Sequence, residues 1–195
     1  MLSRGSARAA AVAAGVGLLF LSSCILGTDE DDKPKEPAPD YRDLTDKDNV
    51  IRNLLESYKW CDIEEYERLL HPDYVWFNQE RHVVTGGLPE YFTRDEDLAS
   101  TGNLFKAKLG THPDPLVKVN ALNLVIQTGA WQRITEIDGS PCGDCWETTR
   151  LYEIAVVSPT TTLYANDYVK FVVVPVVEGG NTLYKLRRAD DIHTD

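Results

Sequence analysis

The chain has 195 residues, with 20 Lys and Arg against 31 Asp and Glu, a formal charge of −11. A surface of that sign is wrong for nucleic acid, whose binding rests on neutralising phosphates with Lys and Arg. It also argues against flat adsorption on anionic lipid.

The first element is a leader. Arg4 and Arg8 are the only charged residues before Cys24, and the run from Ala9 to Leu21 carries no charge. A short basic region followed by a short apolar one reads as a secretory signal, too brief and too alanine-rich to span a bilayer. Leu21-Ser22-Ser23-Cys24 resembles the bacterial lipobox, an aliphatic residue and two small ones before a cysteine. That resemblance implies cleavage after Ser23 and acylation of Cys24, palmitate included, leaving residues 24–195. Two or more acyl chains anchor a protein stably where one would not. Ile25, rather than Asp, follows the cysteine. By the same resemblance the expected address is the outer membrane, facing the periplasm, although the acidic run Asp29 to Asp32 also fits surface export.

Residues 24–44 read as a tether. Thr28 to Tyr41, "TDEDDKPKEPAPDY", is acidic, holds three prolines and offers almost no apolar side chain to bury. Residues 45–195 are enough for one core and one domain.

That domain opens with helices. In "TDKDNVIRNLLESYKW" Thr45 and Asp48 form the expected N-terminal cap, and Val50, Ile51, Leu54, Leu55 and Tyr58 form one apolar stripe. Asp62 and Glu65 repeat the cap spacing ahead of Ile63, Tyr66, Leu69 and Leu70, and Pro72 ends the segment. Tyr74 to Phe77 reads as a strand. Thr93 with Glu96 starts a third helix carrying Leu98, Leu104 and Phe105. Beyond "THPDP" the pattern changes. Strands are expected over Val117 to Ile126, Ala130 to Ile137, Trp146 to Val157, Tyr164 to Val177 and Leu183 to Arg188. The short turns between them predict an antiparallel meander, hence an α+β class.

The cysteines and histidines are read by spacing. Cys142 and Cys145 form a C-x-x-C in "DGSPCGDC", expected on a hairpin loop and away from the helix N-terminus that activates redox thiols. A disulfide between Cys142 and Cys145 is the favoured reading, with a bridge from Cys61 to either of them as the alternative. His71, His82, His112 and His193 are scattered, so no metal site is expected, and no cofactor fingerprint is present. His71, at a helix end, reads as a cap.

Asp62, Tyr66, Leu69, Leu70, Pro72, Asp73 and Tyr74, with the closing "TLYKLRRADDI", resemble the NTF2-like superfamily. Nuclear transport factor 2, ketosteroid isomerase, scytalone dehydratase and SnoaL-type cyclases share that cone fold. The resemblance covers roughly Asp46 to Ile192. It implies N-terminal helices packed on a curved, mainly antiparallel sheet, with a pocket open at one end. The family's isomerases use a carboxylate base with a Tyr and a protonated acid.

No complete set of that kind is visible in the strands. Asp167 alternates with Val169 and Phe171 and is the one candidate base, although a position in water at a sheet end is the more ordinary reading. Trp76, Arg150, Tyr152 and Tyr168 are candidate pocket residues, although for Trp76 and Trp131 a place in the core is the favoured reading over a substrate platform. The sequence thus favours a non-catalytic module that binds a small apolar ligand or an envelope protein, with a homodimer through the sheet face as a further expectation. The alternative is an isomerase, dehydratase or cyclase working in the cone. A cluster of acid, Tyr and apolar side chains around a perturbed carboxyl would separate the two.

Overall fold

Helix α1 (Lys47–Trp60) starts where the Asp46 side chain accepts the backbone N–H of Asp48. The cap therefore falls one residue later than the expected Thr45, whose hydroxyl turns back to Asp43 instead. Cys61 ends the helix in the left-handed region, at φ 54°, and its N–H reaches the carbonyls of Ser57 and Tyr58. The computed structural model describes residues 37–192. The signal segment, Cys24, most of the tether and His193 lie outside the described residues.

Helix α2 (Ile63–Leu69) is capped by Asp62, which accepts the N–H of Glu65, as the spacing predicts. The chain runs on directly into strand β1 (Leu70–Phe77), with Pro72 inside a register shift rather than after a loop. A short helix α3 (Glu80–Gly86) and strand β2 (Tyr91–Thr93) follow. Neither was expected. α3 buries no residue and has no side-chain cap, so it leaves no stripe to read. Helix α4 (Arg94–Leu109) opens with a complete capping box from Thr93 and Glu96.

The remaining strands are β3 (Ala121–Ile126), β4 (Gln132–Ile137), β5 (Ser140–Val157), β6 (Thr162–Glu178) and β7 (Asn181–Ile192). They join one sheet in the order β2-β1-β7-β6-β5-β3, with β4 also on β5. β5, β6 and β7 form the expected meander, but β1 lies parallel to β7. The sheet is thus mixed: parallel partners need a long crossover, and here the whole intervening chain supplies it. Two hairpins turn on residues with positive φ: Asp138-Gly139, at 52° and 75°, and Gly179-Gly180, at 57° and 83°.

The turn before β5 is shorter than "DGSPCGDC" suggests. Cys142 and Cys145 belong to β5, not to a loop. Ile134 faces Cys145 and Glu136 faces Pro141, so Cys142, Gly143 and Asp144 stand opposite Thr135 alone. That bulge bends the strand and brings the two thiols to the same side. Cys61, Cys142 and Cys145 are all free thiols in this structure, so the expected disulfide is not formed here.

The domain also begins earlier than residue 45. Its compact unit starts at Ala38. Tyr41 donates to Asp62, the Arg42 N–H donates to Asn53, and Leu44 is fully buried. Tyr184 of β7 donates its N–H to the Leu44 carbonyl at 2.7 Å. Val50, Ile51, Leu54, Leu69 and Phe105 from the helices close on Val169, Phe171, Val173, Leu186 and Ala189 of the sheet. Gly129 passes so close to β5 that a Cβ there would sit 2.9 Å from Thr148 Oγ1 and the Thr149 carbonyl.

Candidate functional site

Asp97, Thr101 and Leu104 recur at i, i+4 and i+7 along α4, which sets them on one helix face. That face forms one wall of a cavity of about 210 Å³. Leu54 and Tyr58 of α1, Tyr66 of α2, and Tyr74 and Trp76 of β1 supply more of the lining. Tyr152, Phe171 and Leu186 enter from the sheet. Tyr58 meets Tyr66 and Phe105 edge-on, at centroid distances of 5.7 and 5.0 Å, a packing that suits the ring quadrupoles.

Asp97 is the one carboxyl in this lining. Tyr66 donates its hydroxyl to Asp97 Oδ2 at 2.5 Å. Burial pushes the Asp97 carboxyl up to about 6, against the Tyr66 hydrogen bond, which favours the charged form. Burial also drives the phenols upward: Tyr58 to about 12, and Tyr66, Tyr74 and Tyr152 well above their ordinary range. The phenols therefore stay protonated and can donate, while the carboxyl exchanges its proton near neutrality. A carboxyl has two oxygens, and Tyr66 engages only Oδ2 through this bond. The residue itself remains only partly covered, its open side being the cavity.

The structure sorts the residues that the sequence singled out. Trp76 and Tyr152 do line the cavity, with ring centroids 6.1 Å apart. Arg150 is buried but does not line it: its guanidinium reaches Asp48 at the start of α1, at 3.1 Å, and lies over the Trp131 ring. Trp131 donates to the same Asp48 oxygen. Tyr168 is exposed, on the sheet face opposite Asp167 and Val169. Asp167 does point inward, but to a separate cavity beyond Trp76 and Tyr152, where Gln79 and Arg81 bind it at 2.8 Å.

Asp97 itself escaped the sequence reading. In "TRDEDLAS" three acids crowd the first turn of a helix, which the helix dipole explains equally well for all of them. Only Asp97 is in phase with Thr101 and Phe105, both buried. That phase is the signal that could have found it.

His71 accepts the Asp73 N–H through Nδ1, a local turn contact rather than a helix cap. Burial lowers its basicity. Cys145 is deeply buried, and burial, with Cys142 beside it, pushes its thiol up to about 12, so it is no nucleophile in this state. Among the described residues no group of three or more His, Cys, Asp or Glu is gathered to hold a metal ion. None of the described helices is long and apolar enough to cross a membrane.

No protein-family model matches the sequence, and no curated protein matches it as a relative. Solved structures do match. A conserved protein from Planctomyces limnophilus superposes with a TM-score of 0.51 at 12% identity, over 74% of this chain and 91% of that one. An NTF2-like protein of unknown function in nutrient uptake, from Rhodospirillum rubrum, gives 0.50 at 14% identity, over 77% and 99%. Helices against a large curved mixed sheet, with a cavity between them, complete the correspondence. The chain has the fold of the NTF2-like superfamily.

Proposed function

We propose that this domain is a small-molecule site on a bacterial envelope lipoprotein, and that Asp97 exchanges a proton with the molecule bound there. The observation that carries the reading is a single carboxyl held by Tyr66 in a cavity lined mainly by aromatic and aliphatic side chains, with Ser100 and Thr101 beside it, where burial pushes Asp97 up to about 6. Proton transfer works best when the group titrates near the working pH. Above its pKa the Asp97 carboxylate takes a proton from a carbon next to a carbonyl. The C–H electron pair becomes the new C=C bond, the carbonyl π pair moves onto oxygen to give the enolate, and a neutral phenol of the cavity supplies the hydrogen bond that steadies it. The cavity suits a ligand of one or two rings with a single polar group.

Deuterium uptake from D₂O into 2-tetralone tests this directly. The full chain should speed uptake above buffer, and Asp97→Asn should abolish the gain. Binding of 2-tetralone without exchange would reduce the domain to a binding module, and absence of both would sink the reading.

The envelope address rests on the leader and on Cys24, for which lipidation followed by outer-membrane, periplasm-facing anchoring is proposed. Cys24→Ser should release the protein from the membrane fraction, and intact mass should show an acylated Cys24 in the wild type. Cleavage of the tether by protease on intact cells would refute the periplasmic orientation. An oxidising compartment would also join Cys142 to Cys145, which peptide mapping without reductant should recover. A Cys61 bridge in its place would overturn that pairing.

A further inference from the structure

We propose that residues 79–88 form a hinged flap that swings as one unit over the outer cavity, the one beyond Trp76 and Tyr152. The flap is a device of the fold, independent of the Asp97 reading. Arg81, His82 and Leu88 line that cavity of about 570 Å³ from the flap, and Tyr152, Ile154 and Tyr164 line it from the sheet. A swing outward therefore uncovers the sheet's share of the lining.

The hinge is the end of a strand pair. Phe77 of β1 faces Tyr91 of β2, and just beyond them the Asn78 N–H donates to the Glu90 carbonyl at 2.9 Å. The Asn78 side-chain amide adds a bond to the Pro89 carbonyl at 2.8 Å. Everything between is a loop with its ends held together. Within it α3 buries no residue and has no side-chain cap, and Val84 is 74% exposed. No described helix or strand packs broadly on α3. A segment with so few buried apolar contacts opens locally, at a free energy far below that of global unfolding.

The latch lies at one end of the flap. Gln79 is 5% exposed, and its Nε2 donates to Asp167 Oδ2 on β6 and to Asp191 Oδ1 on β7, each at 2.8 Å. Arg81 reaches the same Asp167 oxygen at 2.8 Å, and His82 Nδ1 lies 3.5 Å from Asp191 Oδ2. These ties converge on two carboxylates, so losing the central one loosens its neighbours. Arg81 is half exposed, and an ion pair of that kind contributes little. Gln79 is thus the principal tie. Closure also has its costs. Among the described residues Gln79 Oε1 is buried with no hydrogen-bond partner. Burial first, and then the charge of Asp167, push Asp191 above the ordinary carboxylate range. Opening returns the amide to water and uncovers the carboxylates, which keeps the open state within thermal reach.

Residue-resolved hydrogen exchange on the full-length protein in nonionic detergent tests the hinge, with hydroxyl-radical footprinting for the cavity wall. The His82 and Val83 amides bond to the Gln79 carbonyl and the Leu88 amide to that of His82, so one opening should expose all three with one protection factor. Gln79→Ala should speed their exchange together, by about tenfold. The Asn78 amide, which belongs to the hinge, and the amides of β6 should keep their wild-type rates. Oxidation of Ile154 and Tyr164 should rise in the same variant. Arg81→Ala should give a smaller common increase, about twofold, and decides the matter if Gln79→Ala fails to fold. Protection that differs from one flap amide to the next, or variants that exchange like the wild type, would overturn the proposal. So would loss of Asn78 protection along with the flap, or Ile154 and Tyr164 oxidation that stays unchanged.

Discussion

Asp190 is buried and Asp97 half-buried in the same domain, and they are held in opposite ways. Asp190, 6% exposed on β7, lies within 2.6 Å of Arg188 Nε and 3.1 Å of Lys170 Nζ. Among the described residues no cation pairs with Asp97, which leans on the hydroxyl of Tyr66. The first arrangement sets the carboxyl between two cations and joins β6 to β7. The second leaves the proton free to come and go. Burial alone does not single out a candidate acid; burial without a counter-charge, facing a cavity, does.

The sharpest way to break the contrast is to remove the paired acid. Asp190→Asn leaves Arg188 and Lys170 facing an amide, and should cost about 3 kcal/mol of stability. Chemical denaturation at pH 7 checks it, and a loss under half that size would mean that Asp138, which also pairs with Arg188, holds the strand unaided.

Asp97→Asn should move stability the other way. The folded carboxyl keeps its proton up to about pH 6, while an unperturbed one releases it near 3.8. Between those values the native state binds more protons than the unfolded state, so stability falls as pH rises through that window and is flat above it. The amide escapes this cost, so the variant should be more stable by about 1–2 kcal/mol at pH 7.5. That gain should vanish below pH 4. Thermal melts across pH 3.5–8 give the test, and a variant less stable at pH 7.5 would refute the uncompensated acid.

A smaller effect sharpens the role of the phenol. Tyr66→Phe removes the donor that favours the charged form, so the Asp97 pKa should rise further and stability should drop by about 1 kcal/mol. Carboxyl-carbon NMR titration reads the shift, and a pKa that falls would contradict the arrangement. Smallest is Thr93→Ala. Losing the capping box should cost about 0.5–1 kcal/mol and fray the first turn of α4, which carries Asp97. Faster amide exchange confined to residues 94–97 is the expected signature.

The sequence disclosed what is local. Stripes and cap spacings placed α1, α2 and α4, because each is written within one or two turns of chain. Alternation along β6 showed that Asp167, Val169 and Phe171 share a face. The same alternation puts Tyr168 on the other side, away from the cavities. Arg150 has the right parity, yet its partner Asp48 lies 102 positions away and nothing local announces it. The parallel pairing of β1 with β7 is hidden for the same reason: no short-range pattern encodes a contact between the two ends of a domain. Asp97 was hidden differently, by an adequate local explanation, since acids in the first turn of a helix need no other reason.

The segment from Asp40 to Leu44 bears on mechanics. Tyr41 is tied to Asp62, Arg42 to Asn53, and Leu44 to Tyr184. Tension applied through the N-terminal side of the chain is divided among these three bonds: part goes to Asp62, part to β7 through Tyr184, and part to the middle of α1 through Asn53. The first turn of α1 is thereby bypassed, and the helix that carries Leu54 and Tyr58 to the cavity takes only a share of the pull.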